Sequence, residues 1–292
     1  MIFEETYGMS RTPFVRNVPA EDLYEPRFMG EALSRLHFVA QNQQFAVITA
    51  DSGCGKSTLL RKFNEQLPKD KYVLLYISDS KLSPKWLYTS LLDQLGLESG
   101  FYRGDAKKML QKQVSIIQNK EHRKVVIILD EAHLLEKETL EEFRFLLNSE
   151  FDSVSQMALI LAGQTELWDN KLRYRRYEAI RQRIDVSIVL PHLNRAETEQ
   201  YILTHMKYAG CDHPVFTEKA IDEIFRTSTG IERMINKICE KSLIYGAQQR
   251  LQLIDEHAVR YVEEHEMIQV GEWSYDNQYR RADTATWICN VN

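Results

Sequence analysis

An open, parallel α/β sheet with helices on both faces, followed by a small all-helical region, is the fold class this sequence predicts. Two observations predict it. Short apolar runs of strand length alternate with stretches of helical periodicity as far as Pro191. Beyond Pro191 the apolar runs stop and only helical patterns continue. The 292 residues are 43% hydrophobic and 27% charged, ordinary for a globular protein, and leave room for one large domain or a core plus a smaller unit.

The elements follow in order. Ala32 to Val39 shows apolar residues at helical spacing, after a start that contains Pro13, Phe14 and Pro19. Phe45-Ala46-Val47-Ile48-Thr49 reads as a buried strand, and Lys56 to Leu67 as a helix. Tyr72 to Ile77 is a second strand. Pro84 opens a helix to about Leu95, since proline is tolerated in a first turn. Gly96, Gly100 and Gly104 interrupt the pattern before an amphipathic helix from about Ala106 to Gln118. Val125 to Leu129, Ala158 to Leu161 and Val186 to Leu190 are the remaining strands, with helical patterns between them. The last part reads as helices over about 196–208, 217–226, 231–249 and 255–264, with Thr217 and Asp255 as N-caps. The expected organisation is a 1–40 segment packing on a ligand site, a 41–191 α/β core, a 192–268 helical lid and a 269–292 tail. That tail carries Trp273, Tyr275, Tyr279 and Trp287 and has little helical periodicity.

The bulk properties exclude several classes. A net charge of −5 and a pI near 6.0 mean that nucleic-acid binding would need a local basic surface. The four cysteines are scattered, with no C-x-x-C pair, which speaks against a zinc site or a disulfide scaffold and for a reducing, cytoplasmic compartment. The acidic start, Met1-Ile2-Phe3-Glu4-Glu5, does not read as a signal peptide. No apolar run approaches the roughly 20 residues that span a bilayer, so membrane insertion is not expected.

The loop after the first strand, Ala50-Asp51-Ser52-Gly53-Cys54-Gly55-Lys56-Ser57-Thr58, has the chemistry of a phosphate cradle. Glycines let backbone N–H groups turn inward, and the start of the following helix adds positive partial charge. Ser52 to Thr58 would wrap the phosphates of ATP, with the Lys56 ammonium on the β- and γ-phosphates and the Ser57 hydroxyl on Mg²⁺. Ala50 stands where the strict P-loop pattern has glycine, which a strand-like backbone tolerates. About 75 residues downstream, the apolar strand 125–129 ends in Asp130-Glu131-Ala132-His133. Open α/β sheets bind ligands at that end of their strands. Asp130 would hold Mg²⁺, and Glu131 would polarise the attacking water.

The order of these features resembles AAA+ ATPases, and more closely the ExeA/GspA-like family. The similarity reaches to about residue 266. It includes Tyr7-Gly8-Met9 with Pro13-Phe14, the phosphate loop, Leu129 to His133, Ala162-Gly163-Gln164-Thr165-Glu166-Leu167, Arg181-Gln182-Arg183-Ile184, Leu190-Pro191-His192-Leu193 and Gly230-Ile231-Glu232-Arg233-Met234-Ile235-Asn236. The resemblance implies an AAA+ P-loop sheet with a helical lid, and it implies roles. Gln164 falls at sensor 1, facing the γ-phosphate or the attacking water. Arg233 falls at sensor 2 on the lid; the family usually has proline where this chain has Glu232. Tyr7, Pro13 and Phe14 would line the adenine side. Arg183 would be an arginine finger donated into a neighbour's site, with Arg181 and Arg176 as rivals, and a finger acting in trans requires a homo-oligomer, a ring or a helical filament.

Lys171 to Arg183 holds six basic residues in 13 against one acid, Glu178, which suits either a phosphate backbone or a subunit surface. A second candidate DNA surface comprises Lys81, Lys85, Arg103, Lys107 and Lys108, with Lys112 nearby. Family members of secretion pathways typically carry a transmembrane segment and a wall-binding part after the ATPase. Shorter ones look like the ATPase partners of DDE transposases, related to the TnsC, TniB, MuB and IstB regulators. The expectation is therefore an ATP-dependent regulator of transposition that oligomerises on duplex DNA and recruits a transposase or a target-selection protein. The alternative is a secretion-pathway ATPase of the ExeA/GspA type acting with a membrane partner.

Overall fold

The computed structural model describes residues 3–78, 82–98, 100, 102–147 and 155–267. Five parallel strands, β1 (Phe45–Thr49), β2 (Tyr72–Ile77), β3 (Lys124–Leu129), β4 (Met157–Gly163) and β5 (Val186–Val189), form one sheet in the order β2-β3-β4-β1-β5. Because β1 sits between β4 and β5 while its own chain continues to the far edge at β2, the order reverses beside β1. In open α/β sheets ligands bind at such a reversal, at the carboxyl ends of the strands.

The central strands are apolar throughout because both their faces are covered. In β3, Val125, Ile127 and Leu129 point into one core with Leu87 and Leu91 of α3 (Pro84–Gln94), Leu110 and Val114 of α4 (Arg103–Glu121) and Phe143 of α5 (Lys137–Leu147). Val126 and Ile128 point the other way, onto Leu36 and Val39 of α1 (Arg27–Asn42) and Leu59 and Phe63 of α2 (Lys56–Gln66). The period of two along the strand divides the two cores. The edge strand β5 is only partly buried, which fits its weaker apolar signal.

The expected bounds of β1 and β2 coincide with the observed ones. β4 runs two residues further than its apolar run because Ala162 and Gly163 continue the ladder opposite Ile48 and Thr49. α1 begins five residues earlier than its periodicity indicates, directly after Pro26, and stops where Gln43 turns left-handed. α3 starts as expected, with Pro84 in its first turn and Ser83 capping it. A short helix, α6 (Glu178–Arg181), precedes β5.

After β5 come α7 (Arg195–Tyr208), α8 (Glu218–Ser228), α9 (Glu232–Gln248) and α10 (Glu256–His265). Thr217 and Asp255 cap α8 and α10 through their side chains, and Asn194 forms a capping box with Glu197 at α7. The helices enclose a core of their own around Ile202, Ile224, Ile238 and Leu243, and the start of the chain joins that core through Phe3, Tyr7, Met9 and Phe14. Among the described residues no helix is long and apolar enough to cross a membrane. Cys54, Cys211 and Cys239 are buried free thiols. Lys81 and the tail after residue 267 lie outside the described residues.

Candidate nucleotide site

The phosphate loop joins β1 to α2 at the carboxyl end of β1, where the strand order reverses. Gly53 and Gly55 both adopt left-handed backbone, at φ 91° and 76°, which a side chain at either position would strain. Space forbids one as well, because a Cβ on Gly53 would lie 2.6 Å from the Cβ of Arg233. Lys56, the first residue of α2, is buried, and its Nζ donates to the carbonyls of Ala50 and Asp51 at 2.8 and 2.9 Å. Burial pulls its ammonium below the ordinary value, with the Glu131, Asp130 and Asp51 carboxylates pulling the other way. The structure thus brings Lys56 into one electrostatic cluster with both acids that follow β3. Cys54 is a buried filler whose thiol burial pushes up to about 11, so it stays protonated. Ser52 and Ser57 are exposed and Thr58 is half-buried.

Asp130 is buried at the end of β3. Its Oδ1 accepts the Glu131 N–H at 2.9 Å and its Oδ2 accepts the Tyr76 hydroxyl at 2.9 Å. The Tyr76 phenol is held above its ordinary pKa by burial and by Asp130, so it remains a donor. Glu131 has a left-handed backbone at φ 52°, a costly conformation for a residue with a side chain, and it turns the chain into the 3₁₀ turn Ala132–Leu134. The Nδ1 of His133 lies 3.5 Å from the Glu131 carboxylate and accepts the Gln164 N–H at 3.4 Å. Gln164 follows β4 directly, so β3 and β4 deliver Asp130, Glu131, His133 and Gln164 to the same sheet edge.

The helical half reaches this edge at α9. The Arg233 N–H donates to the Gly53 carbonyl at 3.2 Å and its Nη1 to the Ser52 hydroxyl at 3.1 Å. A second link is Asp51, whose carboxylate accepts Thr165 Oγ1 at 2.9 Å and faces His192 Nε2 at 2.8 Å, while His192 Nδ1 faces the Thr229 carbonyl at 3.0 Å. Burial works to raise the Asp51 carboxyl, but the hydrogen bonds from His192 and Thr165 outweigh it and hold it below its ordinary value. Sequence reasoning missed Tyr76, Asp51, Thr165 and His192 as site residues. Asp51, Thr165 and His192 lie in the quoted motifs, but no site role followed for them from sequence alone.

The other candidates have partners elsewhere in the described residues. Phe14 is buried, stacks on His205 of α7 at 5.0 Å between ring centroids, and donates its N–H to His205 Nδ1 at 3.3 Å. Arg183 lies on the turn before β5, two residues ahead of Asp185, whose N–H donates to the carbonyl of Phe45 at the opposite end of β1 from the phosphate loop. Arg181 is occupied by the carbonyls of Leu172 and Arg173, and Arg176 stacks over Tyr174 and Tyr177. Of the candidate DNA contacts, Arg103 and Lys107 pair with the buried Glu142 at 3.0 and 3.8 Å, whereas Lys85 and Lys108 are exposed.

The donor set fits a Mg²⁺-nucleotide. Ser57 and Asp130 offer hard oxygen ligands beside an amide-lined loop. Among the described residues no group of three or more His, Cys, Asp or Glu could hold a metal alone, so a divalent ion here would draw its other ligands from phosphate and water.

Comparison with known proteins agrees with this geometry. Residues 39–170 match the family model described as "AAA domain". The fold is that of an AAA+ ATPase. General secretion pathway protein A of Aeromonas hydrophila is 32% identical over 248 residues, 83% of this chain and 44% of that protein. This chain therefore spans less than half the length of that relative. Among solved structures, Cdc6p from Pyrobaculum aerophilum matches with a TM-score of 0.64 at 17% identity, covering 88% of this chain and 71% of that one. Drosophila ORC bound to DNA matches with a TM-score of 0.61 at 16% identity, covering 91% of this chain and 65% of that one. The matched span holds β1 to β4, the phosphate loop and the paired acids after β3.

Proposed function

We propose that this AAA+ protein binds Mg²⁺-ATP between its sheet and its helical lid, hydrolyses it, and uses the cycle to switch a partner in a secretion-type assembly. One observation carries the nucleotide part: Arg233 of α9 rests on the phosphate loop while Lys56 shares a charge cluster with Asp130 and Glu131. Ser57 and Asp130 would ligate Mg²⁺, Ser52 to Thr58 would hold the phosphates, Glu131 would orient and polarise water, and Gln164 would sense the γ-phosphate. Phe14 would bear on the adenine side through the segment it anchors to α7. Arg183 supports a homo-oligomer, ring or filament. It stands about one strand length, roughly 16 Å, from its own loop, so a finger role falls to a neighbour's site. The secretion reading rests on the Aeromonas relative and extends to a cytoplasmic ATPase docking on a membrane partner.

A second reading, a regulator of transposition that assembles on duplex DNA and recruits a transposase or target-selection protein, is favoured by a specific surface. Trp86 and Tyr102 are 60% and 69% exposed where α3 and α4 begin, and the same two helices carry exposed Lys85 and Lys108. Aromatic rings interleaved with lysines suit nucleic acid. Steady-state ATP turnover with and without duplex DNA at low salt separates the two. DNA stimulation and ATP-dependent retention on DNA support transposition. Their absence, with ATP-dependent co-fractionation with membranes, supports secretion. A purified protein without affinity for nucleotide overturns both.

A further inference from the structure

Glu232 is the residue the site does not yet explain. It opens α9 one position before Arg233, and its carboxylate lies against the phosphate loop: a Cβ built on Gly55 would meet Glu232 Oε1 at 2.7 Å and Oε2 at 3.0 Å. Gly55 immediately precedes Lys56, so this acid stands beside the amides expected to receive phosphate oxygens. An acid in a helix's first turn is ordinarily explained by the helix dipole. The dipole does not explain why this half-buried carboxylate is turned against the phosphate loop. Among the described residues its carboxylate forms no hydrogen bond or ion pair, although Arg233 is its sequence neighbour and turns instead to Ser52. Burial pushes the carboxyl up to about 7. The charged and titratable groups facing it are Cys54 from the loop, Tyr201 from α7 and Arg233 on α9. Cys54 stays a thiol, and the Tyr201 hydroxyl donates to Asn236 at 2.9 Å.

An unpaired carboxylate costs free energy wherever it is enclosed, and beside a triphosphate it also repels like charge. We propose that Glu232 is an acidic gate on the phosphate loop, whose charge weakens binding of the nucleotide's anionic phosphates, so that tight loading requires the carboxyl to be neutral or turned away. This rests on the nucleotide reading of the loop. The gate discriminates by phosphate charge, so it penalises ATP more than ADP. It also ties the lid to the loop, because Glu232 and Arg233 stand side by side at the start of α9.

The test is the dissociation constant of ATP and of ADP for the full chain and for Glu232→Gln, from pH 6 to pH 8. Glutamine keeps the shape and removes the charge. At pH 8 the variant should bind ATP about tenfold more tightly than the parent, with a smaller gain for ADP. As pH rises through 7 the parent should lose ATP affinity relative to the variant by up to about tenfold per pH unit. Titration of the nucleotide itself is common to both proteins and cancels in the ratio. Equal or weaker ATP binding by Glu232→Gln, with a ratio that does not change with pH, overturns the gate while leaving the nucleotide site standing. Absence of nucleotide binding by both proteins overturns the site and the gate together. A destabilised Glu232→Gln variant does not remove the test, because Glu232→Ala removes the same charge: it too should bind ATP more tightly than the parent at pH 8, and a parent-to-variant ratio that does not change with pH overturns the gate.

Discussion

The strand ends of the sheet and the first turn of α9 both deliver charged groups to the phosphate loop, but they hold them in different ways. Asp130, Glu131 and Gln164 extend from β3 and β4, strands hydrogen-bonded along their whole length and buried on both faces. Arg233 comes from a helix whose core is separate from the sheet's, and it meets the loop through two hydrogen bonds, with the Asp51–His192–Thr229 link alongside. A close-packed strand end fixes a carboxylate to a fraction of an ångström, which water activation needs. A few exposed bonds can open and close as a ligand comes and goes. Under the proposed roles the sheet would carry the water chemistry and one sensor, Gln164, while the helices would bring Arg233.

The largest expected effect is at the strand end. Glu131→Gln should keep ATP binding and lower turnover by about two to four orders of magnitude, the range of a lost general base. A coupled-enzyme assay alongside a fluorescent-nucleotide titration reads both quantities. Loss of binding in this variant would mean that Glu131 holds the nucleotide rather than the water. Lys56→Ala should do the reverse, weakening nucleotide affinity by roughly 10- to 100-fold through the loss of a charge-assisted hydrogen bond.

The sheet half was also the more legible in sequence. β1 and β2 were readable to the residue because their apolar runs start abruptly after Gln44 and Lys71, and the loop and the Asp130-Glu131 pair are contiguous motifs. The early start of α1 was hidden because Gly30 and flanking polar residues dilute its first turns. The end of β4 was hidden because Ala162 and Gly163 carry little apolar signal while being fully paired. The linking residues were not legible for a different reason. Tyr76 meets Asp130 across 54 positions, and His192 meets Asp51 across 141. No local pattern encodes such a meeting. Glu232 stood out only as an acid in place of the proline usual in the resembling family; its position against Gly55 required the fold.

The second effect sharpens the separation of the two cores. His205 of α7 is buried between Phe14 and Tyr201, and burial lowers its pKa from 6.5 to about 4. The folded state therefore binds this proton less readily than the unfolded chain. The corresponding stability is fully present above pH 6.5 and is lost as pH falls toward 4, by at most about 3 kcal/mol. Urea melts at pH 7 and pH 4.5 should show that loss in the parent and less of it in His205→Gln. If the halves are separate, the early loss should appear in probes of the helical bundle before those of the sheet. Equal pH slopes in parent and variant would remove His205 as the cause.

The smallest effect tests the link itself. Both nitrogens of His192 face oxygen acceptors, the Asp51 carboxylate and the Thr229 carbonyl, so the imidazole spans the loop and the turn that leads into α9. Its side chain is 35% exposed and that of Asp51 44%, so solvent screens the pair and His192→Ala should cost under about 1 kcal/mol of stability. The informative readout is the nucleotide. If the link sets the angle at which Arg233 meets the loop, His192→Ala should weaken ATP binding by about fivefold or less and spare turnover per bound ATP, because Glu131 does not depend on it. A variant that binds normally but turns over slowly would place His192 in the chemistry of the sheet edge instead, and the division of labour between the halves would have to be redrawn at that residue.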